Sequence, residues 1–187
     1  RPATGNYPVI YDERISSGLV GHFLSAINGA AITRGSSWLK DSLGKQVLPR
    51  TCKLLENPHR VRTGASRLFD SEGLTTKKRE ILSKGVLNGW TLDLASARKL
   101  GMRPTGNASR SVSSNPSPTN WNIELSSPED YCNDLLSEMR NGLLVTSLIG
   151  STINPNTGDY SRGVSGFWVE DGQICYPVSE ITIAGNL

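Results

Sequence analysis

Cysteine and histidine are scarce in this chain and long apolar runs are missing, and each shortage closes off a class of protein. The 187 residues include three cysteines, Cys52, Cys132 and Cys175, far apart and odd in number. No CxxC pair occurs, so neither a zinc knuckle nor a disulfide framework is expected. The expectation is reduced thiols buried as small hydrophobic groups in a cytoplasmic protein. No stretch approaches the ~18 apolar residues of a membrane span. The opening "RPATGNYPVIYDER" has no positively charged start followed by an apolar stretch, so no signal peptide is read there. Formal charge is only +3, with lysine and arginine spread along the chain. The densest cluster, Lys77-Lys78-Arg79 beside Arg67 and near Lys84, is expected to be a solvated strand end, because nucleic-acid binding needs a concentrated patch.

Glycine, serine, asparagine and threonine are plentiful by contrast, which favours turns and short strands over a helical bundle. The length suits one domain spanning 1–187. Apolar residues at helical spacing (Leu19, Val20, Phe23, Leu24, Ile27) predict a helix from about Ser17 to Asn28, capped by Ser16 or Ser17. A short helical piece is expected at Ser37–Leu43, closed by Gly44. "KQVLP" and "TCKLLENP" read as extended. "REILSKGVLNGWTLD" reads as a hairpin turning at Lys84-Gly85, and "LASARKLG" as a short helix ended by Gly101. Residues 108–120, nearly devoid of apolar side chains, are expected to form a flexible surface loop, with "WNIEL" a strand after it. "SSPEDYCNDLLSEM" is the clearest helix, with Ser127 as cap, Pro128 at the first position, and Tyr131, Leu135, Leu136 and Met139 as its buried stripe. "GLLVTSLIG" reads as a central strand. The last stretch is a hairpin turning at Asp171-Gly172, with Pro177 marking an edge or a bulge. Strands outnumber helices and connect mostly by hairpins. The expected class is therefore α+β, with a large antiparallel or mixed sheet open to curling towards a barrel and a few short helices. Ending on "SEITIAGNL", without a polar tail, the chain reads as a piece of something longer.

Several motifs carry more than periodicity. "TGDYSRGVSGFWVEDGQICYPVSEITIAGNL" resembles the C-terminal signature of the TldD/PmbA family. So do "DSLGKQVLP", "FDSEGLTT", "GVLNGWTLD", "SARKLG" and "PTGNA", in the family's order from about Pro8 to Leu187. Within the family, "GDYSRG", "GFWVE" and "TIAGNL" are closest to the PmbA (TldE) branch. The resemblance implies a C-terminal domain of a cytoplasmic protein about twice this length, whose N-terminal domain and extreme C-terminal segment lie outside the chain. It also implies a TldD-like partner subunit, unfolded or short peptides as substrates, and metal-dependent peptidase activity in the pair. A homodimer is an option for the isolated subunit. Older descriptions of the family speak of a modulator of DNA gyrase.

In the TldD branch the chemistry resides on a helix bearing HExxxH, with zinc on the histidines and the glutamate as general base. The matching window here is "SGLVGH": Ser17 stands for the first histidine, Gly18 for the glutamate, and His22 for the second histidine. Serine is a poor zinc ligand at neutral pH, Gly18 has no side chain, and the only other histidine is His59. A zinc site needs about three protein ligands. The expectation is therefore no metal and no catalytic residue in this chain, with zinc in the TldD-like partner.

Other polar groups are weighed against structural roles. Asp159, Tyr160 and Arg162 in "GDYSRG" are candidates for peptide binding or an interface, although Thr157-Gly158-Asp159 also reads as a turn and Arg162 as half of an ion pair across the sheet. Arg98 and Asn107 could hold peptide carbonyls or a peptide terminus. Equally, they read as a helix-terminal charge and a left-handed turn residue. "GVSGFW" lacks the phosphate-loop pattern. The leading expectation is a non-catalytic subunit shaping a peptide chamber. The alternatives are an independently active peptidase using another site, such as a cysteine, and a regulator of gyrase-related processes.

Overall fold

The structure, a computed structural model, describes residues 2–126, 132–150 and 153–187. In chain order its elements are β1 (Val9–Tyr11), α1 (Glu13–Ala26), α2 (Gly29–Arg34), β2 (Lys53–Glu56), β3 (Arg79–Ser83), β4 (Val86–Leu87) and α3 (Leu94–Leu100). These are followed by β5 (Ala108–Ser109), β6 (Ser117–Pro118), β7 (Ile123–Ser126), α4 (Cys132–Glu138), β8 (Asn141–Ile149), β9 (Asp159–Glu170) and β10 (Gln173–Asn186). Mixed sheets with a few short helices make this α+β, and no barrel closes among the described residues. Among the described residues the strands are divided between two four-stranded sheets and a two-stranded ladder. Two compact units result, Arg1–His22 with Glu129–Leu187, and Phe23–Pro128.

The first unit is built on the sheet β1-β8-β9-β10. β1 joins β8 in parallel, and the other two pairings are antiparallel. β8 is interior, as its apolar run predicts. Alternation along it feeds two cores: Leu143 and Val145 face Val164, Trp168 and Val178, while Leu144 faces Met139 and Val169. Val145, Val164 and Val169 are completely buried, and each such side chain contributes about 1.5–3 kcal/mol relative to exposure. The last hairpin turns at Asp171-Gly172, both with positive φ (47° and 78°), the geometry that matches strand twist in a two-residue loop. β10 is an edge strand with irregularities between Ile174 and Tyr176 and between Val178 and Ile181, so Pro177 sits where proline is tolerated. The exposed Cys175 lies at the first of these, which corrects the expectation of a buried thiol. The side chain of Cys132, like the predicted Ser127 cap and Tyr131, lies outside the described residues. In α4, Leu136 packs on the core beside Met139, but Leu135 is exposed.

α1 begins four residues before the predicted Ser17. Its cap is Asp12, whose carbonyl receives the Ile15 and Ser16 amides and whose carboxylate receives the Arg14 amide at 3.0 Å. Ser16 instead lies inside the helix and donates its hydroxyl to the Glu13 carbonyl. The misplacement has a physical reason: serine and aspartate are both good caps, and the apolar stripe starts a turn later than the helix.

In the second unit the sheet β4-β3-β2-β7 is antiparallel throughout. Ile27, Leu54, Ile81, Leu82, Leu87 and Leu92 fill its core. The hairpin turn at Lys84-Gly85 is as predicted, with φ of 49° and 73°, although β4 is short. α3 carries a capping box between Asp93 and Ser96 and ends at left-handed Gly101. The predicted helix at Ser37–Leu43 is a succession of turns. The second helix is α2 instead, started by the Asn28 side chain, which accepts the Ala30 amide, and ended by Gly35. Asn28-Gly29 reads as a stop, but Asn is as good a starter. The segment 108–120 is no bare loop, since Ala108–Ser109 pairs with Ser117–Pro118 around an exposed tip. Arg79, expected in a solvated cluster, is ion-paired to buried Glu56. Arg67 stacks on Trp121 at 3.8 Å.

Candidate functional site

The first sheet's periodicity explains how distant residues meet. Val9 pairs with Leu143 and Tyr11 with Val145, so Tyr11 shares the face of Leu143 and Val145. Along β9, Tyr160 and Arg162 alternate on the same face as Val164. α1 lays Ile15 on that core, and His22, seven residues on, returns to the same side of the helix. His22, Tyr160 and Arg162 thus gather in one unit together with Tyr11, which sequence reading missed because a tyrosine before a helix carries no motif.

The local chemistry is donor-rich. His22 is half-buried, and its ring meets Tyr160 edge-on with centroids 5.9 Å apart. Burial holds the His22 imidazole below its ordinary range, and the positive charge of Arg162 adds to this. Burial also pushes the Tyr11 phenol up, the Tyr160 hydroxyl beside it reinforces this, and Arg162 pulls the other way. The Tyr11 and Tyr160 hydroxyls are neighbours, and the Tyr160 hydroxyl is buried with no well-formed hydrogen bond among the described residues. Arg162 gives one Nη2 bond to the Gly150 carbonyl, yet its buried Nε has no acceptor. The ion pair expected for Arg162 does not occur among the described residues. Each buried donor left without an acceptor costs about 1–3 kcal/mol.

The fit to zinc is poor on these observations. Ser17 and Gly18 are exposed on α1, and a side chain at Gly18 would have free space, with nothing within 4 Å of its Cβ. No packing demand therefore explains the glycine. The Arg162 charge that disfavours protonated His22 would equally oppose a dication on its ring.

The other candidates have structural surroundings. Asp159 accepts the Thr157 hydroxyl at 2.6 Å and the Asn186 amide at 3.0 Å, and both hold its carboxyl below the usual range. It is an exposed turn clamp between β9 and β10. Arg98 is exposed in the last turn of α3, where a cation favours the helix dipole. Asn107 is buried and its Nδ2 donates to Glu56 Oε1 and the Thr119 carbonyl, both at 2.9 Å, so it offers peptide no free amide hydrogen. The left-handed residue there is Gly106, with φ of 71°. Glu56 itself, 1% exposed, also accepts the Trp121 amide and pairs with Arg79 at 2.5 Å. Its place in "KLLE" carried no signal, since a strand-end glutamate is normally solvated.

Comparisons with known proteins identify the family and the fold. Residues 4–187 match the description "PmbA/TldA metallopeptidase C-terminal domain". "Metalloprotease PmbA" of Escherichia coli O157:H7 is 46% identical over 185 residues, covering 99% of this chain and 39% of that protein. A crystal structure from Bacteroides thetaiotaomicron, described as a candidate modulator of DNA gyrase, superposes with a TM-score of 0.86 at 32% identity, over 97% of this chain and 39% of that one. TldE from Thermococcus kodakarensis shares the fold, with a TM-score of 0.82 at 24% identity over 96% of this chain and 41% of that one. The chain thus spans about two fifths of the length of these relatives. With its motifs, its fold and its near-complete coverage by one family description, the chain belongs to the PmbA/TldA metallopeptidase family.

Proposed function

We propose that the chain is part of a PmbA/TldE-like subunit in a TldD/TldE-type peptidase assembly. It shapes the peptide chamber and docks a TldD-like partner, and it performs no hydrolysis itself. One observation carries this reading: where a zinc helix would need two ligands and a base, α1 offers exposed Ser17, exposed Gly18 and His22 facing a guanidinium. Zinc held by the partner would supply the activated water and polarise the scissile carbonyl. This chain's contribution is to hold peptide and exclude bulk water. The substrates on this reading are unfolded or short peptides and the compartment is the cytoplasm; among the described residues no helix is long and apolar enough to cross a membrane. A homodimer of the isolated subunit is compatible with this reading. The test is co-purification with a TldD-like partner followed by peptide hydrolysis. The reading expects cleavage by the pair and none by this subunit alone, and partner-free cleavage would overturn it.

The word "metalloprotease" in the name of the Escherichia coli relative favours a second reading, an independently active peptidase. Alanine at Cys52, Cys132, Cys175 or His22 would then abolish activity of the purified protein. A gyrase-related regulator, after the Bacteroides description, would instead show salt-sensitive DNA binding.

A further inference from the structure

The cluster around His22 brings together an imidazole, two phenols and a guanidinium. Tyr160 is 5% exposed and its hydroxyl has no well-formed partner. Arg162 Nε is buried without an acceptor, while Nη2 donates to the Gly150 carbonyl. Tyr11 and the half-buried imidazole of His22 stand at the same place. The Arg162 Nε–H lacks an acceptor, and the Tyr160 hydroxyl has an O–H to give. An arginine always carries its charge, and Arg162 is half-buried with its Nε out of contact with solvent. Among the described residues no carboxylate pairs with this one.

We propose that Tyr160 Oη and Arg162 Nε, flanked by His22 and Tyr11, form a receptor for a carboxylate. One carboxylate oxygen accepts from Arg162 Nε and the other from the Tyr160 hydroxyl, a charge-assisted arrangement that planar guanidinium geometry favours. The same guanidinium that attracts an anion opposes a divalent cation. The two natural sources are the C-terminus of a peptide and the side chain of an aspartate or glutamate. That the carboxylate belongs to a peptide rests on the reading of the chain as a peptidase subunit; the receptor itself does not.

The test uses acetate as probe on the purified protein, read by the His22 ring resonance and assigned by its loss in His22→Gln. Acetate is expected to shift that resonance saturably, where chloride at equal ionic strength does not. Tyr160→Phe keeps the ring and removes only the hydroxyl; Arg162→Lys keeps the charge and removes the fork. Each is expected to weaken acetate by about tenfold, the scale of one lost hydrogen bond to a charged group, with an unchanged thermal melt showing that the fold is intact. No saturable shift in the wild type, or equal acetate affinity in both folded variants, overturns the proposal. Two capped peptides separate the sources. Tighter binding of the free-acid form of acetyl-tetra-alanine than of its amide assigns the site to a C-terminus. Tighter binding of an amidated peptide containing glutamate than of its glutamine counterpart assigns it to a side chain. Acetate binding with no peptide binding would confirm the receptor and count against the peptidase-subunit reading alone.

Discussion

His22 stands edge-on to Tyr160, with ring planes 69° apart and centroids separated by 5.9 Å. That contact joins a helix residue to a strand residue far away in sequence, and it places an imidazole beside phenols and a guanidinium where the family resemblance would have had a metal.

Because burial and Arg162 lower the His22 pKa in the fold, protonation is easier in the unfolded chain. The unfolded state therefore binds more protons in the window below the ordinary histidine value of 6.5, and stability falls as pH drops into it. Above that value His22 adds no pH dependence. Thermal melts across this range should show the decline, and His22→Gln should flatten it. An unchanged slope in the variant would remove His22 as the cause.

Gly166 lies against the backbone of β8, where an added Cβ would collide with the Leu144 carbonyl and sit 3.0 Å from Val145 Cα. Gly166→Ala should destabilise the protein by about 1–3 kcal/mol, as overpacking does. Gly163→Ala, whose nearest neighbour would be Ile149 Cβ at 3.5 Å, should be far milder. Urea denaturation of both compares them directly.

Glu56→Ala strands Arg79 beside a buried network that includes Asn107, Asn120 and the Trp121 amide. Removing one member of such a pair costs about 3–5 kcal/mol, so the denaturation midpoint should fall steeply. A shift under about 1 kcal/mol, the level of an exposed pair, would mean the pair is effectively solvated.

Arg98→Ala, at an exposed helix end, should change stability by no more than about 0.5 kcal/mol. Any loss of peptide or partner binding in that variant then reports a contact, measurable by calorimetry against wild type.

The sequence made both hairpin turns legible because Lys84-Gly85 and Asp171-Gly172 declare positive φ through their glycines. The α+β class and the interior place of β8 followed from runs of apolar residues between such turns. Helix starts were harder, since Asp12, Ser16 and Ser17 compete as caps within one turn, and Asn28 ends one helix while starting the next. For the candidate site, motif matching found His22, Tyr160 and Arg162 separately. Only strand register and helix phase unite them and add Tyr11. Asn107 was misjudged because nothing local announces that Glu56, 51 positions earlier in the chain, would take its amide.

The central claim, that α1 here is a helix without metal, is tested most directly by zinc content after equilibration with excess zinc and dialysis. The account predicts well under one equivalent in the purified subunit, with no difference between wild type and His22→Ala. One equivalent of zinc in the wild type that is lost in His22→Ala would contradict it.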